Sequence, residues 1–93
     1  MKLDELLKQF EIKIPDDEPL FPLNIACRLL ELPYWTVHEI LKEGIIQPKT
    51  KNKKKKLLSY RDMKILKYAK YLMENKGVNI KGIKVILEIE KEI

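Results

Sequence analysis

Asn24-Ile25-Ala26-Cys27-Arg28-Leu29-Leu30-Glu31-Leu32-Pro33-Tyr34-Trp35-Thr36-Val37-His38-Glu39-Ile40-Leu41-Lys42-Glu43-Gly44 is the stretch whose reading decides the fold. Asn24 is a residue type whose side-chain oxygen satisfies an orphan amide at a helix start, and the spacing after it predicts a helix from Ile25 to Glu31. Ile25, Cys27 (or Arg28), Leu29 and Leu30 give that helix one apolar side. Glu31-Leu32-Pro33 reads as a tight turn, because Pro33 cannot continue the helix. A second helix then runs from about Tyr34 to Glu43 and stops at Gly44. Two helices of about two turns each, joined by a tight turn, form a helix-turn-helix unit.

The two sides of the second helix carry different messages. Val37, Ile40 and Leu41 share a face that must point to a core. This forces Trp35, His38, Glu39 and Lys42 onto the opposite face. A tryptophan aimed outward is read as an interface residue, the alternative being that the N-terminal arm covers it. His38 can donate to a phosphate or a base edge, or stand idle in solvent.

Outward from this unit, the eight residues Lys49 to Lys56 hold six lysines. Adjacent ammonium groups repel one another unless a polyanion screens them, and nucleic acid is the commonest such partner. A solvated loop is the competing interpretation. Ile45-Ile46-Gln47-Pro48 before the run and Leu57-Leu58 after it predict two short strands bracketing a basic hairpin. Ser59-Tyr60-Arg61-Asp62 has the form of a capping box and opens a helix with Met63, Leu66, Ala69, Leu72 and Met73 inward, ended by Gly77. Asn79 caps a last helix on which Gly82, Ile86, Ile89 and Ile93 alternate by four, three and four, the spacing of a coiled-coil seam.

Towards the N-terminus, Phe21 and Leu23 flank Pro22 in a short extended lead-in. Before it, Leu3, Leu6, Leu7 and Phe10 predict an amphipathic helix over residues 3 to 11, followed by the breaker Pro15-Asp16-Asp17-Glu18-Pro19. The stripe is expected to pack on its own domain, since short helices need a surface; a docking peptide for a partner is the alternative. The chain thus divides into an arm and acidic linker, 1–19, and a body, 20–93.

Ninety-three residues make one small domain, too small for a deep catalytic pocket. Residues 1–20 carry three lysines against six acids, a net −3, so a chain total of +5 leaves +8 on the remainder. The basic surface belongs to the body. No apolar run approaches the roughly 20 residues of a membrane span, and the first residues do not form a signal peptide, so the expected location is cytoplasmic. One cysteine and one histidine supply no zinc ligand set, and no cofactor is implied. Cys27 reads as a buried helix residue. With no nucleophile-base pair, phosphate loop or metal cluster, an enzyme is the remotest of the function classes.

In this order of elements the chain resembles winged-helix DNA-binding domains of the MerR superfamily, mainly α with a short basic β-hairpin wing, and in particular the HspR branch of heat-shock repressors. The resemblance covers residues 21 to 93. It is carried by Ile25-Ala26, Thr36-Val37, Lys42-Glu43-Gly44-Ile45-Ile46 with Pro48, Ser59-Tyr60-Arg61-Asp62-Met63, and Gly77 to Glu88. There are departures. Family members usually have arginine at His38, aromatics at Glu39 and Ile40, an acid or amide at Leu41, tyrosine at Leu58 and a wing arginine at Lys56. Lysine cannot reproduce an arginine fork, so the resemblance implies DNA binding that is weaker or differently directed than in a typical member.

What the resemblance implies is sequence-specific binding of double-stranded DNA by a transcriptional regulator, a repressor if the HspR likeness holds, with a chaperone as corepressor. Tyr34, Trp35, Thr36, His38 and Lys42 would approach the major groove, and Lys49, Lys53, Lys54, Lys55 and Lys56 the flanking backbone or minor groove, with Arg61 beside them. Members generally pair through an antiparallel helix after the four-helix core, and Ile93 falls inside its expected start. Either the chain is shortened, or it forms a homodimer by other means, through Ile86, Ile89 and Ile93 or through the arm. So short a seam predicts a monomer or a weak dimer. Two other classes remain: an excisionase-like or architectural DNA-bending protein, and a MerR-like domain repurposed for protein–protein interaction through the Trp35 and Glu39 face.

Overall fold

The computed structural model describes residues 2–51 and 55–92. Helix α1 (Leu3–Lys8) leads to strand β1 (Pro19–Pro22), the paired helices α2 (Leu23–Leu30) and α3 (Tyr34–Lys42), strands β2 (Lys49–Lys51) and β3 (Lys55–Ser59), and helices α4 (Tyr60–Lys76) and α5 (Ile80–Glu92). The helix-turn-helix, the hairpin and the two following helices stand in the expected order. Lys53, Lys54 and Ile93 lie outside the described residues, so the expectations placed on them have no structural counterpart here.

The turn between α2 and α3 is closed by backbone. Glu31 takes the left-handed conformation (φ 53°, ψ 45°), and Leu32 N–H donates to Cys27 O at 3.0 Å. Leu32 is thereby driven into the core, and Pro33, still extended (φ −62°, ψ 145°), leads into the first helical residue Tyr34. The start of α2 differs from expectation. Pro22, with its fixed φ of −59°, precedes the first helical residue Leu23, and no side chain caps the helix. Asn24 lies inside the first turn. The inward side of α2 is also rotated: Ala26 is fully buried, with Leu23, Cys27 and Leu30 beside it, while Leu29 faces solvent.

The sheet has three strands in the order β1-β3-β2, all antiparallel. The lead-in through Phe21 and Pro22 is therefore a strand, pairing Phe21 with Leu58 and Pro22 with Leu57. Two prolines confine it to the sheet edge, where a missing N–H is tolerated. The other edge, β2, begins at Lys49 rather than Ile45, because Ile46 turns into the core and Pro48 has no amide to offer a ladder. Lys49, Lys51, Lys55 and Lys56 are thus strand residues, with Thr50 opposite Lys56 and Lys49 opposite Leu57.

Central strand β3 enters α4 through the capping box. Asp62 N–H donates to Ser59 Oγ at 3.1 Å, and Ser59 N–H donates back to Asp62 Oδ2 at 2.9 Å. Met63, Leu66, Ala69 and Leu72 of α4 are buried, and Gly77 (φ 65°) ends the helix in the left-handed region. Asn79 accepts from Gly82 N–H at 2.8 Å at the start of α5. On α5 it is Ile83 that enters the core, with Ile86 and Leu87 half-buried, whereas Val85 and Ile89 are exposed.

The core joins Ala26, Leu32, Val37, Ile40, Ile46, Leu58, Met63, Leu66, Ala69, Leu72 and Ile83, so α2 to α5 and β3 meet in it. None of the arm's described apolar residues does. The expectation that Leu3, Leu6, Leu7 and Phe10 pack on their own domain is overturned: all four are exposed, Phe10 at 70%. The reason is geometric. Helix α1 closes after six residues, and what holds the arm is the linker after it, where Arg61 N–H donates to Asp16 O at 3.0 Å and Pro19 pairs with Ser59. No described helix is long and apolar enough to cross a membrane.

Candidate nucleic-acid interface

Helix α3 has its inner face fixed by Val37 (1% exposed) and Ile40 (0%), with Leu41 half-buried. With those positions committed, Tyr34, His38 and Lys42 fall on one row, four residues apart. The Tyr34 and His38 rings stack, centroids 6.1 Å apart and planes inclined by 16°. This row forms one wall of a groove whose other wall is β3. One end is lined by Tyr34 and His38 with Lys55 and Lys56, the other by His38 and Lys42 with Lys56 and Gln47. Two aromatic rings, one of them an imidazole, and the Lys42 ammonium on the same wall thus face Lys55 and Lys56 across an open cleft. Such a surface can stack on or hydrogen-bond to a nucleotide and neutralise phosphates.

The remaining residues singled out from the sequence sit elsewhere. Trp35 is 71% exposed but is rotated by about 100° from the Tyr34 row, as one residue along a helix must be, and it lines neither end of the groove. Thr36 is half-buried. Glu39 is exposed on the row of Trp35 and, like it, lines neither end of the groove. Lys49 and Arg61 are brought together, but in a second groove with Asp17 and Gln47.

Two residues that sequence reasoning missed belong to this surface. Asn24 lines the Tyr34 end of the groove, and Gln47 reaches both the His38 groove and the Lys49–Arg61 groove. Gln47 carried a signal, since a lone amide between Ile46 and Pro48 has no core to serve. Asn24 was masked by its resemblance to a cap.

Away from this surface, burial pushes the Cys27 thiol above its usual range, a half-buried helix position that disfavours the nucleophilic thiolate. Among the described residues no group of three or more His, Cys, Asp or Glu side chains is placed to hold a metal ion.

A profile of MerR helix-turn-helix regulatory proteins matches residues 21–89, from the first strand through most of α5. The chain belongs to the MerR family. This family consists of DNA-binding regulators rather than enzymes, and its helix-turn-helix is the α2–α3 unit described above. A candidate heat shock protein HspR of Streptomyces coelicolor is 26% identical over 81 residues, covering 87% of this chain and 54% of that protein. The chain therefore spans about half the length of that curated relative, and its likeness to HspR is distant.

Proposed function

We propose that this MerR-family chain binds a specific double-stranded DNA operator and represses transcription. The observation that carries the proposal is the Tyr34–His38–Lys42 row of α3 facing Lys55 and Lys56 of β3. On this reading residues 20–93 are the DNA-binding body and residues 1–19 an accessory arm. Tyr34, Trp35, Thr36, His38 and Lys42 enter the major groove. Lys49, Lys53 to Lys56 and Arg61 contact the backbone on either side, with Asn24 and Gln47 as added polar contacts. Repression and a chaperone corepressor are carried over from the resemblance to the HspR branch, and a cytoplasmic site of action from the reading as a transcription regulator.

The test is fluorescence anisotropy against duplexes at rising salt. Replacing Lys55 and Lys56 with Ala should flatten the slope of log affinity against log salt by about 0.9 for each phosphate that the variant no longer neutralises, leaving sequence preference intact. An unchanged slope removes the β3 lysines from the interface. Operator geometry separates the regulator from an architectural bender, because a two-fold regulator requires an inverted repeat at fixed spacing and a bender does not.

A second reading, a protein-contact role for the outer face of α3, is favoured by Trp35, which stands exposed beside Glu39. It predicts that Trp35→Ala leaves DNA affinity unchanged.

A further inference from the structure

The acidic linker does not hang free of the basic body. Asp16 Oδ2 lies 3.1 Å from Lys64 Nζ, and the Asp16 carbonyl takes the Arg61 N–H, one of the amides that the first turn of α4 leaves without a helical partner. Asp17, the next residue, lines the same groove as Lys49 and Arg61. The turn that presents both acids is closed by Glu18 N–H donating to Pro15 O at 3.1 Å and is followed at once by the Pro19–Ser59 pairing. The short turn is thereby held at both ends, with the Asp16 carboxylate on Lys64 and Asp17 at the edge of the groove that Lys49 and Arg61 line.

We propose that Asp16 and Asp17 act as an internal substitute for phosphate, occupying the Lys49–Arg61–Lys64 surface of the free protein so that a DNA backbone must displace them to reach it. This rests on the DNA-binding reading above and adds to it a restraint on unspecific binding. The ion pair is a solvent-exposed one, with both side chains more than half exposed, so it is weak enough to be exchanged. A duplex that also engages α3 has the additional contacts to drive that exchange. One that meets only the sheet edge does not.

The restraint leaves a signature in the salt dependence. A lysine already neutralised by its own chain holds fewer counterions to release when phosphate arrives, so the native protein should show a shallower slope than its lysine content implies. The experiment compares D16N/D17N with D4N/E5Q, which raises the net charge by the same amount at residues of α1 that line no part of this groove. Binding of both, and of the native chain, to a random-sequence duplex is followed by anisotropy across a salt series.

D16N/D17N is expected to tighten binding about two- to tenfold near 0.1 M salt and to steepen the slope by about 0.9 for each additional phosphate neutralised. D4N/E5Q should give less than half of that change. Equal effects from the two variants would show that overall charge, not the anchored turn, is responsible, and would overturn the proposal. So would a D16N/D17N variant indistinguishable from the native chain, while the native chain's own binding left the DNA reading standing. If no form binds any duplex at low salt, the DNA reading itself has failed. Asp17→Asn alone repeats the test with the Lys64 pair intact, should the double change lower the melting temperature.

Discussion

Helices α1 and α3 are both short and amphipathic, yet α3 buries Val37 and Ile40 while α1 buries nothing. The periodicity of Leu3, Leu6, Leu7 and Phe10 is as regular as that of Val37, Ile40 and Leu41. What separates them is what stands opposite. Helix α3 is delivered to the core by the closed turn at Glu31 and Leu32, with Ile46 entering behind it, whereas α1 is joined to the body through an extended segment and a proline turn. Amphipathic spacing defines a face. Only the connection on either side decides whether that face meets a partner within its own chain.

The largest expected effect tests this difference directly. Ile40→Ala should destabilise by about 2–4 kcal/mol in urea unfolding, as a truncation of a fully buried branched side chain. Leu6→Ala should stay within about 0.5 kcal/mol, because its side chain is exposed. If the two losses were similar, the arm would be packed in solution after all, and the contrast between the helices would collapse.

How far this contrast was legible in the sequence varies with the kind of signal. The α2–α3 unit was readable because Pro33 and Gly44 are punctuation with a single physical meaning, and Ser59 to Asp62 was readable because a capping box is closed by its own four residues. The third strand was not. Phe21 and Pro22 find their partners Leu58 and Leu57 more than thirty residues away, and no local pattern announces such a pairing. Placing the first wing strand at Ile45 failed for a related reason: a β-branched residue suits a strand and a core equally, and Ile46 took the core. At the interface, helical spacing turned His38 and Lys42 outward together with Trp35 and Glu39, but that Tyr34 rather than Trp35 lines the groove with them, and that Lys49 and Arg61 belong to a different groove, follows only from the three-dimensional arrangement of α3, β2 and α4.

A smaller effect sharpens the part of the comparison that concerns helix ends. Ser59→Ala removes the acceptor for Asp62 N–H and should cost about 1 kcal/mol. Gly77→Ala should cost a similar amount, about 1–2 kcal/mol, since the added methyl meets open space and the penalty is the left-handed backbone alone. Helix α1 has no side-chain cap to lose, so Lys2→Ala at its N-terminus should leave the unfolding midpoint unchanged. A measurable loss there would mean that α1 contributes to the cooperative unit.

The smallest effect on stability is expected where each helix carries an exposed aromatic, Trp35 on α3 and Phe10 just beyond α1. Trp35→Ala, His38→Ala and Phe10→Ala should each leave the melting temperature nearly intact, because none of these side chains fills space in the core. Their consequences should then part. The α3 changes are expected to weaken DNA binding, as they remove groups from the face that points away from Val37 and Ile40, while Phe10→Ala is expected to leave it unaltered. A Trp35→Ala variant as unstable as Ile40→Ala would place the indole in the core and refute its assignment to the major groove. The Phe10 side of the comparison is settled by assembly rather than by binding. The exposed stripe is a single helical turn and a half, too little apolar surface to offset the cost of association, so light scattering at micromolar concentration should find monomers or weak dimers. A tight dimer would single out either this stripe or the exposed Val85 and Ile89 of α5 as the contact. Deleting residues 1–14, which leaves the Asp16 anchor and β1 in place, distinguishes them: monomers after the deletion assign the contact to the arm, and an unchanged dimer assigns it to α5.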